Sequence, residues 1–170
     1  SPLRDPYAEH LAAGLEKAPG FHGRIEKPWV VFGDGSEDEL NKRAVGTVRW
    51  ATELLKQDYF PVDMAEPMDI WLFKGPESYQ ENVTAWLGEA PDTPYGFAND
   101  SGLYMDISTG GGTLVHEMVH PLMRRNFPTC PPWFNEGLAS LYEAVREEDG
   151  HLYGMLNWRL EGLQEDIRGD

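Results

Sequence analysis

The stretch Leu114-Val115-His116-Glu117-Met118-Val119-His120-Pro121-Leu122 restricts the possible folds of this chain more than any other. Read as a helix it is apolar nearly all round, and such a helix has to be buried. It nevertheless carries two histidines and a glutamate, and burying polar or charged groups without partners is costly. The fold must therefore cover this helix while supplying partners to His116, Glu117 and His120. Residues at i and i+4 lie on one helix face about a turn apart. Two imidazoles so placed can share one Zn²⁺ at about 2.0–2.1 Å. Glu117 is rotated roughly 100° from His116, too far to share the metal comfortably. It is near enough to act as the general base of an H-E-x-x-H site.

A catalytic zinc needs a third protein ligand and an open position for water. Glu136, in Asn135-Glu136-Gly137-Leu138-Ala139, lies sixteen residues after His120 on the next expected helix. A Pro-rich turn over Pro128 to Pro132 and an antiparallel return can bring it back over the histidines. Taken alone, Glu136 also reads as an ordinary first-turn glutamate favoured by the helix dipole.

The rest of the chain reads as a sheet lobe followed by helices. Ala8 to Lys17 is expected as a short helix ended by Pro19-Gly20. Trp29 to Phe32 is a short apolar strand closed by Gly33-Asp34-Gly35. Ser36 and Glu39 form a capping box that opens a helix running to about Gln57. Met68 to Phe73 is a second strand, and Glu77 to Leu87 a second helix of this unit. Tyr95 to Ala98 and Leu103 to Ile107 flank Asn99-Asp100-Ser101-Gly102, a hairpin turn. Gly110 to Gly112 lead closely into the histidine helix; the run lacks the lysine of a P-loop. A helix from about Pro132 to Arg146 follows, then a break at Asp149-Gly150 and a last amphipathic helix over Leu156 to Ile167. The expected class is α+β: a mixed sheet lobe, then helices only.

Charge narrows the partners. The formal net charge of −15 over 170 residues repels phosphate and disfavours nucleic acid and anionic membranes. No apolar run approaches the roughly 18–20 residues of a membrane span. The single cysteine, Cys130, excludes an internal disulfide framework and a thiolate-built metal site. The chain opens at Ser1 without a signal-type pattern, which reads as a processed or a trimmed chain.

His116-Glu117-Met118-Val119-His120 followed by Pro132-Trp133-Phe134-Asn135-Glu136-Gly137-Leu138-Ala139 resembles the zinc site of the gluzincin metallopeptidases, the thermolysin-like superfamily. The resemblance covers about residues 95–145 by motif and about 28–145 by order of elements. It implies a zincin-like fold. Residues 1–27 would be an N-terminal extension, 28–126 an upper lobe holding the small mixed sheet and the active-site helix, and 127–170 a mainly helical lower lobe. It implies one Zn²⁺ per chain on His116, His120 and Glu136, with Glu117 as general base and acid in peptide-bond hydrolysis. It further implies an exposed edge strand before the active-site helix, to which a peptide substrate adds as an extra strand. The matching segment is Gly102-Leu103-Tyr104-Met105-Asp106-Ile107.

The chain departs from this family at three points. Members close to thermolysin carry an Asp four residues after the ligand Glu, to orient a zinc-bound histidine; here that position is Ser140. Glu143, one heptad after Glu136, is the carboxylate expected to serve instead, with Asn135 and Ser140 beside the ligands. Pro121 removes one helix hydrogen bond and is expected to bend the helix end or mark its last turn. The oxyanion-stabilising group is not marked by pattern; His151 and Tyr153, after the glutamate helix, are the candidates, while Tyr142 points away from the metal face.

The reading is thus a monomeric zinc metallopeptidase acting on peptides or proteins, an endopeptidase because no amine-anchoring motif is recognisable. The loop Glu89 to Pro94 is a source of specificity, and an extracytoplasmic site follows from the resemblance alone. The rival is a zinc-bound interaction module of the same fold that cleaves nothing, or a latent form plugged by residues 1–27. A di-iron bundle built on Glu117/His120 and Glu148/His151 is disfavoured by Gly150 and by the β-type runs.

Overall fold

Trp29-Val30-Val31-Phe32 is apolar on both sides of a strand, so both faces need cover. In a computed structural model, which describes residues 5–169, this run forms the second strand of a five-stranded mixed sheet. The strands are β1 (His22–Glu26), β2 (Trp29–Gly33), β3 (Met68–Phe73), β4 (Gly96–Asn99) and β5 (Gly102–Asp106), in the order β1-β2-β3-β5-β4. The central strands β2, β3 and β5 run parallel, and β1 and β4 close the two edges antiparallel. The fold is mixed α+β, as expected.

Alternation along the strands divides the core in two. Val30, Phe32, Trp71, Phe73 and Tyr104 pack with Tyr79 and Val83 of α4 (Pro76–Leu87) and with Tyr7 and Leu11 of α1 (Pro6–Lys17). Phe32 stacks on Trp71 with ring centroids 4.2 Å apart. On the other face Trp29, Val31, Ile70, Leu72, Leu103 and Met105 meet α2 (Glu37–Arg43), α3 (Trp50–Asp58) and α5 (Gly111–Asn126). Each fully buried side chain of this size contributes about 1.5–3 kcal/mol. α5 is thus pressed against the sheet, which explains the apolar character of its sequence.

Several sequence expectations change. Residues 5–27 join the sheet layers: α1, capped by Asp5, packs on β1 and β2, and β1 pairs with β2. The helix expected over Ser36 to Gln57 keeps its capping box but is interrupted by a π-helical stretch, Ala44–Arg49. Gly46 weakens α-helical preference at its centre. Arg49, at its end, bonds the buried Glu26 carboxylate through Nε (2.7 Å) and Nη2 (2.9 Å). Pro121 does not mark the last turn of α5, which continues to Asn126; Leu122 and Met123 beyond it are buried, and that packing offsets the missing backbone bond.

The chain after α5 is not helical throughout. α6 (Pro132–Leu141) stops five residues short of its expected end, and a hairpin follows, β6 (Val145–Glu148) with β7 (His151–Gly154). Asp149 (φ 53°) and Gly150 (φ 77°) are both left-handed, the conformation of a two-residue Asp-Gly hairpin turn. Asp58, at the end of α3, holds the hairpin by accepting from His151 Nδ1 (2.7 Å) and the Leu152 N–H (3.2 Å). The last helix, α7, spans Arg159–Arg168. Among the described residues no helix is long and apolar enough to cross a membrane.

Gly112 fixes the spacing between α5 and the chain leaving α6. A Cβ there would stand 2.2 Å from the carbonyl oxygen of Glu143, closer than any side chain tolerates. Gly112→Ala is expected to lower stability by about 1–3 kcal/mol through overpacking, read as a reduced urea midpoint. An unchanged midpoint would show that this approach is not needed.

Candidate metal centre

The centre lies where α5 crosses α6 beneath the outer edge of β4. α5 contributes His116, Glu117 and His120 from adjacent turns, all turned away from the sheet core formed by Leu114, Val115, Met118 and Val119. α6 begins at a proline pair, with Pro132 in its first turn where the missing N–H costs nothing. That start sets Asn135 and Glu136 over the two histidines. His116 Nε2 stands 3.6 Å from Glu136 Oε2, and His120 Nε2 3.6 Å from Glu136 Oε1. The three residues offer ligand atoms that all lie within 4.8 Å of one another. Two ligands on one tetrahedral zinc, at bond lengths of about 2.0–2.2 Å, are separated by about 3.3–3.6 Å. The two histidine–glutamate separations match that spacing.

The surrounding groups fix the ring orientations. His120 Nδ1 is 3.0 Å from Asn135 Oδ1. A carbonyl oxygen only accepts, so Nδ1 carries the proton and the lone pair of Nε2 faces the cleft. His116 Nδ1 is buried without a hydrogen-bond partner, and the nearest charge is Glu143 Oε2 at 3.7 Å. Glu143 is in turn held by Arg159 Nε and, at 3.3 Å, by Trp158 Nε1. Orienting carboxylates and carbonyls on the far nitrogens of ligating histidines are the usual support of a metal site. Asn135 bonds His120, and Glu143 stands beside His116. Ser140 does neither: its backbone carbonyl accepts from Asn157 Nδ2 (2.7 Å), and no contact of its hydroxyl with either histidine is present.

Electrostatics favour the neutral form of His116. Burial, with the neighbouring His120 and Arg159, pushes the His116 pKa down to about 4. The imidazole is neutral at physiological pH, the form that binds metal. Burial, and then the Glu136 charge, push Glu117 up to about 7, opposed by the Ala98 backbone N–H that bonds it. Glu117 Oε2 is 4.0 Å from His120 Nε2, outside the ligand set yet beside it. The donor chemistry, two imidazoles and a carboxylate with an orphaned buried Nδ1 behind them, fits Zn²⁺.

These side chains border a cavity of about 400 Å³ that also takes in Phe97 and Ala98 of β4, Tyr95, Arg124 and Arg159. The sequence reading missed Arg159, because nothing in the local pattern after Trp158 marks it; α7 carries it to the cavity. Two expectations are corrected. His151 and Tyr153 are not in this cavity: His151 is tied to Asp58, Tyr153 stacks under Arg146, and both line a separate depression with Tyr59 and Tyr142. The hairpin turn diverts them, since β7 runs back toward α3 instead of along α6. Gly102, Leu103, Tyr104 and Met105 are not an edge strand. They form β5, buried and paired on both sides, and the edge is β4, because the hairpin places its first strand outermost.

Asn135→Ala is expected to weaken Zn²⁺ binding about 10–100-fold. His116→Ala and Glu136→Ala should weaken it further, all read by competition with a chromophoric chelator. Equal affinity in Glu136→Ala would remove Glu136 from the ligand set. Comparison of the chain with protein-family models, with curated proteins and with solved structures finds no match in any of the three.

Proposed function

We propose that this chain is a zinc-dependent peptide hydrolase of gluzincin type, cutting within peptide chains. The observation that carries the reading is the bridging of the two histidine Nε2 atoms by the two oxygens of Glu136, each at 3.6 Å, with Glu117 part-buried alongside. Zn²⁺ on His116, His120 and Glu136 would supply Lewis acidity and lower the pKa of bound water.

The protein groups divide the remaining work. Glu117, with a pKa near 7, both accepts and returns a proton near neutral pH, the property a general base and acid needs. It takes a proton from the attacking water at a carboxylate oxygen and passes it to the leaving amine. β4 offers a free edge beside the cavity, and a peptide recognised through its backbone adds along such an edge. That role, expected of Gly102 to Met105, passes to Gly96–Asn99. Tyr95, Arg124 and Arg159 are the cavity groups able to donate to a developing oxyanion. Asn135 and Glu143 hold the two imidazoles in place. The α5–α6 crossing under an edge strand supports a zincin-like reading of the fold.

A rigid interaction module would have no use for a part-buried carboxylate tuned to the neutral range beside the proposed ligands. The test is digestion of a diverse peptide library by zinc-loaded protein, read by mass spectrometry. Internal cuts are expected, and Glu117→Gln should slow them by at least about 10²–10⁴-fold while zinc stays bound. Intact peptides with one zinc per chain, or cuts unaffected by Glu117→Gln, would overturn the reading.

A further inference from the structure

A second cavity, of about 420 Å³, opens on the sheet lobe away from the metal centre. It sits at the carboxyl ends of the parallel strands β2 and β3, between Gly33, Leu72 and Lys74 on one side and the π-helical stretch on the other. Its volume falls in the range of about 300–1,000 Å³ typical of small-molecule sites. Crevices outside the carboxyl ends of parallel strands are where open α/β sheets most often bind ligands. Nothing in the metal centre uses it.

Three independent features mark it as a site. Its floor is apolar, from Leu40, Leu72 and Ile107, and its wall carries Lys42, Arg43 and Lys74. Among the described residues none of these three cations forms a carboxylate pair within 4 Å. Glu39 also lines the cavity, but the Ser36 N–H and hydroxyl both bond its Oε2 at 2.8 Å. An unpaired cluster of cations in a chain of net charge −15 is a local field of the opposite sign to the whole. The second feature is the wall itself, since π-helical turns are rare and concentrate at functional sites. The third is Gly46 in that wall: a Cβ there would meet nothing within 4 Å. Packing does not require a glycine at this position, and its missing side chain leaves the cavity open.

We propose that this cavity binds a small amphiphilic anion, an apolar body seated on Leu40, Leu72 and Ile107 with a carboxylate or phosphate head against Lys42, Arg43 and Lys74. The apolar floor excludes a bare inorganic anion as the best ligand, and the cations exclude a neutral or cationic amphiphile of equal length. Arg43 also stands beside Gly111, at the start of α5, where a Cβ would lie 3.1 Å from its Nη1. It is therefore left intact in the test.

The test titrates the full chain with octanoate, octyl phosphate, octanol and octyltrimethylammonium below their micellar concentrations, by calorimetry and by amide chemical shifts. At least one anion should bind, more weakly as salt rises, with shifts at Gly33, Gly46 and Thr47, and whichever anion binds more tightly identifies the head group. Octanol and the cationic amphiphile should bind about tenfold more weakly, the equivalent of one charge-assisted hydrogen bond. Lys42→Glu with Lys74→Glu, both exposed and without ion pairs among the described residues, should weaken the anion by about tenfold or more. Gly46→Phe should block it by filling the space, with zinc affinity unchanged in both variants as the check on folding. Absence of binding by both anions, equal binding of octanol, or undiminished binding in the charge-reversed and filled variants would overturn the proposal.

Discussion

Burial of α5 is the constraint on which the rest of this structure depends. The helix is pressed onto the sheet through Leu114, Val115, Met118 and Val119, and that contact turns His116, Glu117 and His120 toward α6 and the edge of the sheet. Three polar side chains taken out of water must be matched. They are matched by one another and by a ring of groups from elsewhere: Glu136 and Asn135 from α6, Glu143 from the segment after it, and Ala98 from β4. One buried nitrogen, His116 Nδ1, still has no bonded partner. A proton held there, pointing at Glu143 while Nε2 binds a cation, is the arrangement that would bring the account into balance.

The supporting contacts are tight for a reason. Glu143 is positioned by its backbone approach to Gly112, by Arg159 and by Trp158, so its carboxylate has little freedom to leave His116. The sheet lobe holds α5 from behind, and α6 reaches it from the front after a short Pro-rich turn. Candidate ligands separated by a turn in sequence thus meet where α6 crosses α5, and the chain leaving α6 comes close to α5 at Gly112.

Much of this was legible in the sequence because it rests on local rules. The capping box at Ser36, the β-type runs at Trp29 and Met68, the Asn99 to Gly102 turn and the i, i+4 histidines each follow from a few adjacent residues. What was misread depended on competition between rules. Asp149-Gly150 breaks a helix and equally closes a hairpin; the flanking Val145 and Leu152, apolar on one face, decide for the hairpin, and with it His151 and Tyr153 leave the site. β5 was taken as an edge because the order of strands in a sheet is not written in the order of strands in the chain. Arg159 was invisible because it reaches the cavity only through the packing of α7, and β1 because His22–Glu26 gains its strand character from pairing with β2 more than from its own residues.

The central claim is that His116, His120 and Glu136 form one metal centre, and anomalous X-ray diffraction from crystals grown with Zn²⁺, measured on both sides of the zinc absorption edge, tests it most directly. The account predicts a single strong peak per chain about 2.0–2.2 Å from His116 Nε2, His120 Nε2 and a Glu136 oxygen, with Glu117 outside bonding distance. A peak that lacks Glu136, that lies away from α5, or that is absent while zinc is present in the crystal would contradict it.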